Sequence, residues 1–299
     1  MTGRETTSER VAIVGPGRVG TALASALPAA RYRVVAVAGR GPSALADFRA
    51  RVPDAVETSP TLAAADADLV LLCVSDDALT DVVRAVARDD GVRTGSRWVH
   101  VAGGFGLAPL HPARLAGAKV AACHPAQTFP SPDDGRARLP GAAWAVTADS
   151  RDHGWAERLV ADLGGRPVRV PDSARLLYHT ALTVGSNATA AVVALARDLL
   201  AAAGIADPHP FLGPLSTASA AGAAEHGAAA LTGPVRRGDA GTVAAHLQEL
   251  AVVMPEAVDA YRALARLTLS YARRAGLDDV STAAVAAVLD DDEPGGDDE

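Results

Sequence analysis

The stretch Val11–Ala24, VAIVGPGRVGTALA, decides the fold. Four apolar residues, three of them β-branched, run into a glycine turn. A helical pattern then opens at once, with Ala22 and Leu23 among its apolar positions. Gly15, Gly17 and Gly20 fall in the spacing G-x-G-x-x-G, between a predicted strand and a predicted helix. In that setting the glycines serve a tight turn and a close backbone approach to a pyrophosphate. The helix N-terminus offers unpaired N–H groups to the phosphates. Gly15, Pro16, Gly17, Arg18, Val19 and Gly20 are therefore the first candidate cofactor-binding residues. The spacing alone would also suit a glycine turn without a ligand.

Working outward, the first half keeps alternating. Strands are expected at 32–39, 67–75, 97–103, 118–123, 142–148 and 166–170, with helices at 19–27, 42–52 and 77–89. Unbroken Val- and Leu-rich runs separated by helices point to a mainly parallel, doubly wound sheet covered on both faces. After Pro171 the pattern changes. Residues 172–204 read as one long helix ending at Gly204, followed by helices near 210–231, 239–250, 255–275 and 278–290. The expected organisation is a Rossmann-like α/β domain over 1–170, an all-helical domain over 171–290 and a disordered acidic tail over 291–299.

Composition bounds the function. The chain has 299 residues, 49% hydrophobic and 21% charged, with a formal net charge of −7. Much of that charge lies in the closing DDDEPGGDDE, so the body is close to balanced. Neither nucleic acid nor a membrane surface is expected as a partner. The polar opening MTGRETTSER carries no apolar signal core, and the two cysteines, Cys73 and Cys123, each lie in an apolar run. Both features suit a cytoplasmic protein with reduced thiols. No histidine has metal-ligand spacing with cysteine or carboxylate, and no metal is expected.

The second strand ends in Gly39 and Arg40, with Ser43 just beyond, where an NAD enzyme usually places a carboxylate for the ribose hydroxyls. A guanidinium and a hydroxyl suit a 2′-phosphate, so NADP(H) is expected over NAD(H). Arg40 could also be an ordinary surface arginine. Val74, Ser75 and Asp76 follow the third of these strands, near the expected nicotinamide ribose. Ser75 or Asp76 could equally be a plain helix cap. His100, inside a strand, is read as a core residue.

Two polar groupings remain. His124 and Gln127 follow the strand ending at Cys123. On the long helix, Tyr178, His179, Thr183, Ser186 and Asn187 sit in an otherwise apolar run; His179, Thr183 and Asn187 are spaced i, i+4, i+8, with Ser186 joining them, so an uninterrupted α-helix would carry them on one face. A ligand would explain such a stripe, and so would a solvated face or a structural hydrogen-bond network. Asp239 can cap a following helix, after Thr232, Gly233 and Pro234 close the one before. Arg236 and Arg237 could grip a carboxylate or simply lie in water.

Taken with CHPAQTF (123–129), YHTALTVGSN (178–187) and LTGPVRRGDAGTVAAHL (231–247), the glycine stretch gives the chain a resemblance from about residue 10 to 275. It resembles the family that joins a Rossmann-like NADP-binding domain to a C-terminal domain of unknown function 2520. The wider group includes ketopantoate, pyrroline-carboxylate and hydroxyacid reductases and prephenate dehydrogenases. The resemblance implies hydride transfer with NADP(H) on a small carboxylate-bearing substrate, with ketopantoate reduction to pantoate as the most concrete reaction. It also implies a homodimer formed through the helical domain. The chain departs from the better-known hydroxyacid and ketopantoate reductases, which carry a catalytic lysine where 178–187 has none; Lys119 is the only lysine and precedes a strand. The HP pair resembles that of prephenate dehydrogenases and implies His124 as acid/base. His179 and Asn187 are the further catalytic candidates, and Gln127, Thr183, Ser186, Arg236 and Arg237 the substrate-binding ones. Reduction of an imine, a prephenate-type dehydrogenation and a non-catalytic NADP-binding sensor are the rival readings.

Overall fold

A computed structural model describes residues 8–291. The polar opening (but for 8–10) and the acidic tail (but for Asp291) lie outside the described residues. The elements run β1 (Glu9–Val14), α1 (Arg18–Ala26), β2 (Tyr32–Ala38), α2 (Pro42–Arg51), β3 (Val56–Glu57), α3 (Pro60–Ala65), β4 (Leu69–Leu72) and α4 (Asp76–Arg88). Then come β5 (Arg97–His100), α5 (His111–Leu115), β6 (Lys119–Pro125), α6 (Pro132–Arg138), β7 (Ala143–Ala148), α7 (His153–Asp162) and β8 (Arg166–Arg169). Helices follow: α8 (Arg175–Thr183), a π-helical turn (Val184–Ala188), α9 (Thr189–Ala202), α10 (His209–His226), α11 (Gly233–Arg237), α12 (Ala240–Val253), α13 (Val258–Arg274) and α14 (Asp279–Asp290).

The eight strands form one sheet in the order β3-β2-β1-β4-β5-β6-β7-β8. All neighbours are parallel except β6 and β7, which pair antiparallel, with His124 opposite Ala145. Parallel strands buried on both faces must be apolar throughout, and β1 shows it. Val11 and Ile13 point into the core shared with Leu23, Phe48 and Trp144. Ala12 and Val14 point into the opposite one, with Leu79, Val83 and Trp98. The short edge strand β3 carries too few residues to leave a periodic signal, and the sequence reading passed over it.

The described residues divide after Val184 into two compact units. The sequence pattern changes earlier, near 170, because the first turns of the long helix are anchored in the sheet unit through Arg175. The second unit is helical, and it has its own core in Val235, Val243, Leu247, Leu269, Val285 and Leu289. Two expectations need correction here. The helix over 172–204 is not uninterrupted, since the π turn at Val184–Ala188 adds a residue to the helical path. The 100° step that would align residues 179, 183 and 187 therefore does not carry across it. Thr232 and Gly233 also do not end a helix; they open α11, whose C-cap Gly238 is left-handed at φ 73°. Asp239 caps α12, with Oδ1 accepting from the Thr242 N–H at 3.0 Å.

Candidate active site

The glycine turn is built as its spacing requires. Gly15 has φ +99°, and a Cβ there would lie 2.5 Å from the Cys73 carbonyl carbon and oxygen. A Cβ on Gly20 would run into the Gly15 carbonyl oxygen. These two positions need glycine for turn geometry and packing. Gly17 is different: a Cβ there would meet nothing within 4 Å. It is exposed and forms the N-cap of α1, and no side chain caps the first N–H groups of that helix. A diphosphate fits this cradle by the chemistry of its donors. Arg18 is exposed and its Nη1 donates to the Pro130 carbonyl at 3.3 Å. Val19 is half-buried and Pro16 is buried.

Arg40 and Ser43 are both exposed where β2 passes into α2. Ser75 occupies the N-cap position of α4, but its hydroxyl makes no capping bond; Asp76 is the first helical residue. Both are exposed beside half-buried Val74. Because β1, β2, β4, β5 and β6 are parallel, the turns after them share one sheet edge. The glycine turn, Arg40, Ser75 and His124 all lie on that edge. Lys119, at the start of β6, lies on the other.

His124 sits near the end of β6. Its Nδ1 is 2.9 Å from the Tyr178 hydroxyl on α8, and its ring lies 5.9 Å from that of His179, edge-on. Gly103 makes room for both imidazoles: a Cβ there would lie 3.1 Å from His124 Nε2 and 2.9 Å from His179 Nε2. His124 Nε2 takes no partner among the described residues and is not one of the sealed polar atoms.

Beneath this pair lies Arg175, which is 1% exposed. Its guanidinium donates to the carbonyls of Phe105 at 2.9 Å, Ala145 at 3.1 Å and Ala102 at 2.6 Å. It thus ties the loop after β5 and the strand β7 to α8. Its carbon lies 5.7 Å from the Tyr178 ring centre. No ion pair neutralises it among the described residues. The sequence reading missed Arg175, and it counted Tyr178 in the polar cluster of the long helix without giving it a role. Their one signal is spacing, since Arg175, Tyr178 and His179 stand at i, i+3, i+4 and share a helix face.

Burial, then Arg175, His179 and His100, bring His124 down from the ordinary imidazole range to about 4. It is uncharged at neutral pH. His100 is fully buried, with Nε2 2.7 Å from the Gly106 carbonyl and Nδ1 accepting from the Ala102 N–H at 3.2 Å. Burial brings it too down to about 4, in the structural role read from sequence. Both cysteines are free, and burial pushes both thiols up to about 12.

A pH dependence of stability follows. The folded pKa values lie below the unfolded one, so the unfolded chain binds protons first as the pH falls. Stability is complete above about pH 6.5 and is lost on the way down to about pH 4, on the order of 3 kcal/mol for His100. At pH 5, unfolding should take up about two protons from His100 and His124. Calorimetry in buffers of different ionisation enthalpy would measure this, and an uptake near zero would contradict it.

The remaining expected residues fall as follows. Gln127 is exposed, its Oε1 accepting from the Thr128 N–H at 2.9 Å. Thr183 ends α8 and is exposed; Ser186 and Asn187 lie in the π turn, exposed, in the second unit. Arg236 and Arg237, also in the second unit, line a cavity of about 530 Å³ with Thr232, Gly233 and Asp278. Arg236 donates to the Ala275 carbonyl at 3.1 Å, while Arg237 is exposed. The structure thus brings His124, His179 and Tyr178 together in the sheet unit. No cluster of metal-ligating side chains occurs among the described residues, and no helix there is long and apolar enough to cross a membrane.

Comparison with known proteins places this geometry. A glycerol-3-phosphate dehydrogenase [NAD(P)+] of Rhizobium etli is 28% identical over 186 residues, 54% of this chain and 53% of the relative. The chain therefore spans about half the length of the curated relatives it matches. Among solved structures, a candidate NADP oxidoreductase from Bacteroides fragilis superposes with a TM-score of 0.71 at 23% identity, covering 87% of this chain and 98% of its own. An imine reductase from Myxococcus stipitatus in complex with NADP+ gives 0.63 at 17% identity, covering 94% and 99%. At such identities the likeness is one of fold. The model of a Rossmann-like domain matches residues 3–125, and that of the domain of unknown function 2520 matches residues 142–268. The glycine cradle and the His124 site lie on one sheet edge, within the part of the chain that matches the Rossmann-like domain, and the domain of unknown function 2520 is matched by the part that follows.

Proposed function

We propose that the protein is an NADP(H)-dependent reductase of a small keto acid, most concretely of 2-dehydropantoate (ketopantoate) to pantoate. The observation that carries this reading is the open Nε2 of His124 on the same sheet edge as the glycine cradle. The cofactor, when bound, supplies the hydride. The backbone of Gly15–Gly20 would hold its diphosphate, Val74, Ser75 and Asp76 the nicotinamide ribose, and Arg40 with Ser43 the 2′-phosphate. His124 would deliver the proton to the substrate oxygen, with His179 and Asn187 beside the reacting group. Gln127, Thr183 and Ser186 would orient the substrate, and Arg236 or Arg237 would hold its carboxylate. Helices α9 and α10 bury no residue although they are apolar. The helical region 171–290 is therefore read as the substrate and homodimerisation domain; a single-chain mass by light scattering would overturn the dimer.

One observation favours a second reading, reduction of an imine of the pyrroline-carboxylate type. His124 is uncharged at neutral pH, and an imine can arrive already protonated. The test is oxidation of NADPH and NADH at 340 nm with ketopantoate, pyrroline-5-carboxylate and other 2-keto acids in parallel. The expected result is turnover of ketopantoate with a preference for NADPH, and loss of that preference in Arg40→Ala by about tenfold or more. Turnover of the imine alone would move the protein to the second reading. NADPH binding with no turnover would leave a cofactor sensor.

A further inference from the structure

Resting on the reductase reading above, we propose that Tyr178 is the proton source behind His124. As the substrate oxygen takes the His124 Nε2 proton, the Tyr178 hydroxyl proton passes to His124 Nδ1, leaving a phenolate beside Arg175. Three observations meet in this relay. The Nδ1–hydroxyl distance is 2.9 Å. The opposite ring nitrogen, Nε2, is left without a protein partner. The Arg175 guanidinium, held by three backbone carbonyls and no carboxylate, lies 5.7 Å from the centre of the Tyr178 ring.

The charges explain why two residues are needed. Burial raises the Tyr178 hydroxyl and keeps it protonated at rest, while Arg175, which no ion pair neutralises, pulls the other way towards a phenolate and opposes an imidazolium on His124. The groups around His124 are Tyr178, Arg175, His179 and His100, with Asp172 acting on Arg175 and His100. Of these only Asp172 carries negative charge, and its Oδ1 already accepts from the Leu107 N–H at 2.7 Å. A lone histidine acid would have to rest as a cation here, and burial and Arg175 hold it neutral. In the relay, the ring gains a proton at Nδ1 as it loses one at Nε2, so no imidazolium forms.

The step balances. The ketone carbon gains the hydride pair, the C=O π pair moves to oxygen, and the new O–H bond forms as Nε2–H breaks. Nδ1–H forms as the tyrosine O–H breaks. As water gives a proton to Nε2, the Nδ1 proton returns to the phenolate in the same step, so the ring stays neutral and hydroxide leaves to solvent. One hydride and one proton are consumed per turnover. Tyr178 acts through His124, so it is a positioning and relay residue rather than one that touches substrate.

Tyr178→Phe tests this, since it keeps the ring against Arg175 and removes only the hydroxyl. The expected result is a fall in kcat of about tenfold or more with KM changed by less than about twofold. The rate of the variant should climb as the pH is lowered from 8 to 6, because His124 must then be charged to act, while the wild type stays flat. A second measurement needs no turnover: ¹⁵N NMR of the His124 ring should show the Nε2–H tautomer in the wild type and a mixture in Tyr178→Phe. An active wild type with the Nδ1–H tautomer, or a variant with wild-type kcat and pH profile, overturns the relay alone. A wild type inert towards every carbonyl and imine tested overturns the reductase reading and the relay with it.

Discussion

His124→Ala is expected to lower turnover by about 10²–10⁴-fold while NADPH binds as before. Its Nε2 is without a protein partner on the sheet edge that carries the glycine turn. On the proposed reading, removing the imidazole takes away the proton path, and it leaves the Tyr178 hydroxyl without its partner. The glycine cradle belongs to β1 and α1 and should not feel the change. Stopped-flow or steady-state oxidation of NADPH, paired with a fluorescence titration of NADPH, measures both sides. Turnover within about threefold of wild type would remove His124 from the reaction and pass the role to His179.

Gly15→Ala should cost both stability and cofactor binding. Its φ of +99° is one that L residues rarely adopt, and the new Cβ would sit 2.5 Å from the Cys73 carbonyl and 2.7 Å from the Val74 nitrogen. These are backbone atoms at the end of a buried strand and cannot swing aside. Strain and overpacking together are expected to destabilise the fold by roughly 3 kcal/mol or more, read from urea unfolding. NADPH affinity should fall at least about tenfold. Gly17→Ala is the control: nothing lies within 4 Å of its Cβ, so stability should hold while the methyl group intrudes on the diphosphate and affinity alone falls. Wild-type stability and affinity in Gly15→Ala would refute this account of the turn.

Some of this was legible residue by residue. The strands of the sheet centre are short apolar runs, and a run such as Leu69–Leu72 buried on both faces has no other explanation in an α/β pattern. The glycine turn declares itself because backbone conformation at φ +99° and contact with a neighbouring carbonyl admit little else than glycine. His124 and His179 were named from a motif and a helical spacing, and they do meet over Gly103. Arg175 was not legible. In SARLLYH it looks like any helix arginine, and only packing shows that it is buried against three carbonyls. The antiparallel turn of β7 left no mark either, because Ala143–Ala148 reads the same in both directions of pairing.

By itself the sequence determined where the chain turns and which runs are buried, because those follow from local conformation and from the period of apolar residues. The tertiary structure alone decided the charge state of His124. That is set by burial and by Arg175, His179 and His100, residues far along the chain that act through distance and low dielectric rather than through sequence order. It likewise decided that the hydroxyl of Tyr178, fifty-four positions away, is the group to which the imidazole turns its second nitrogen.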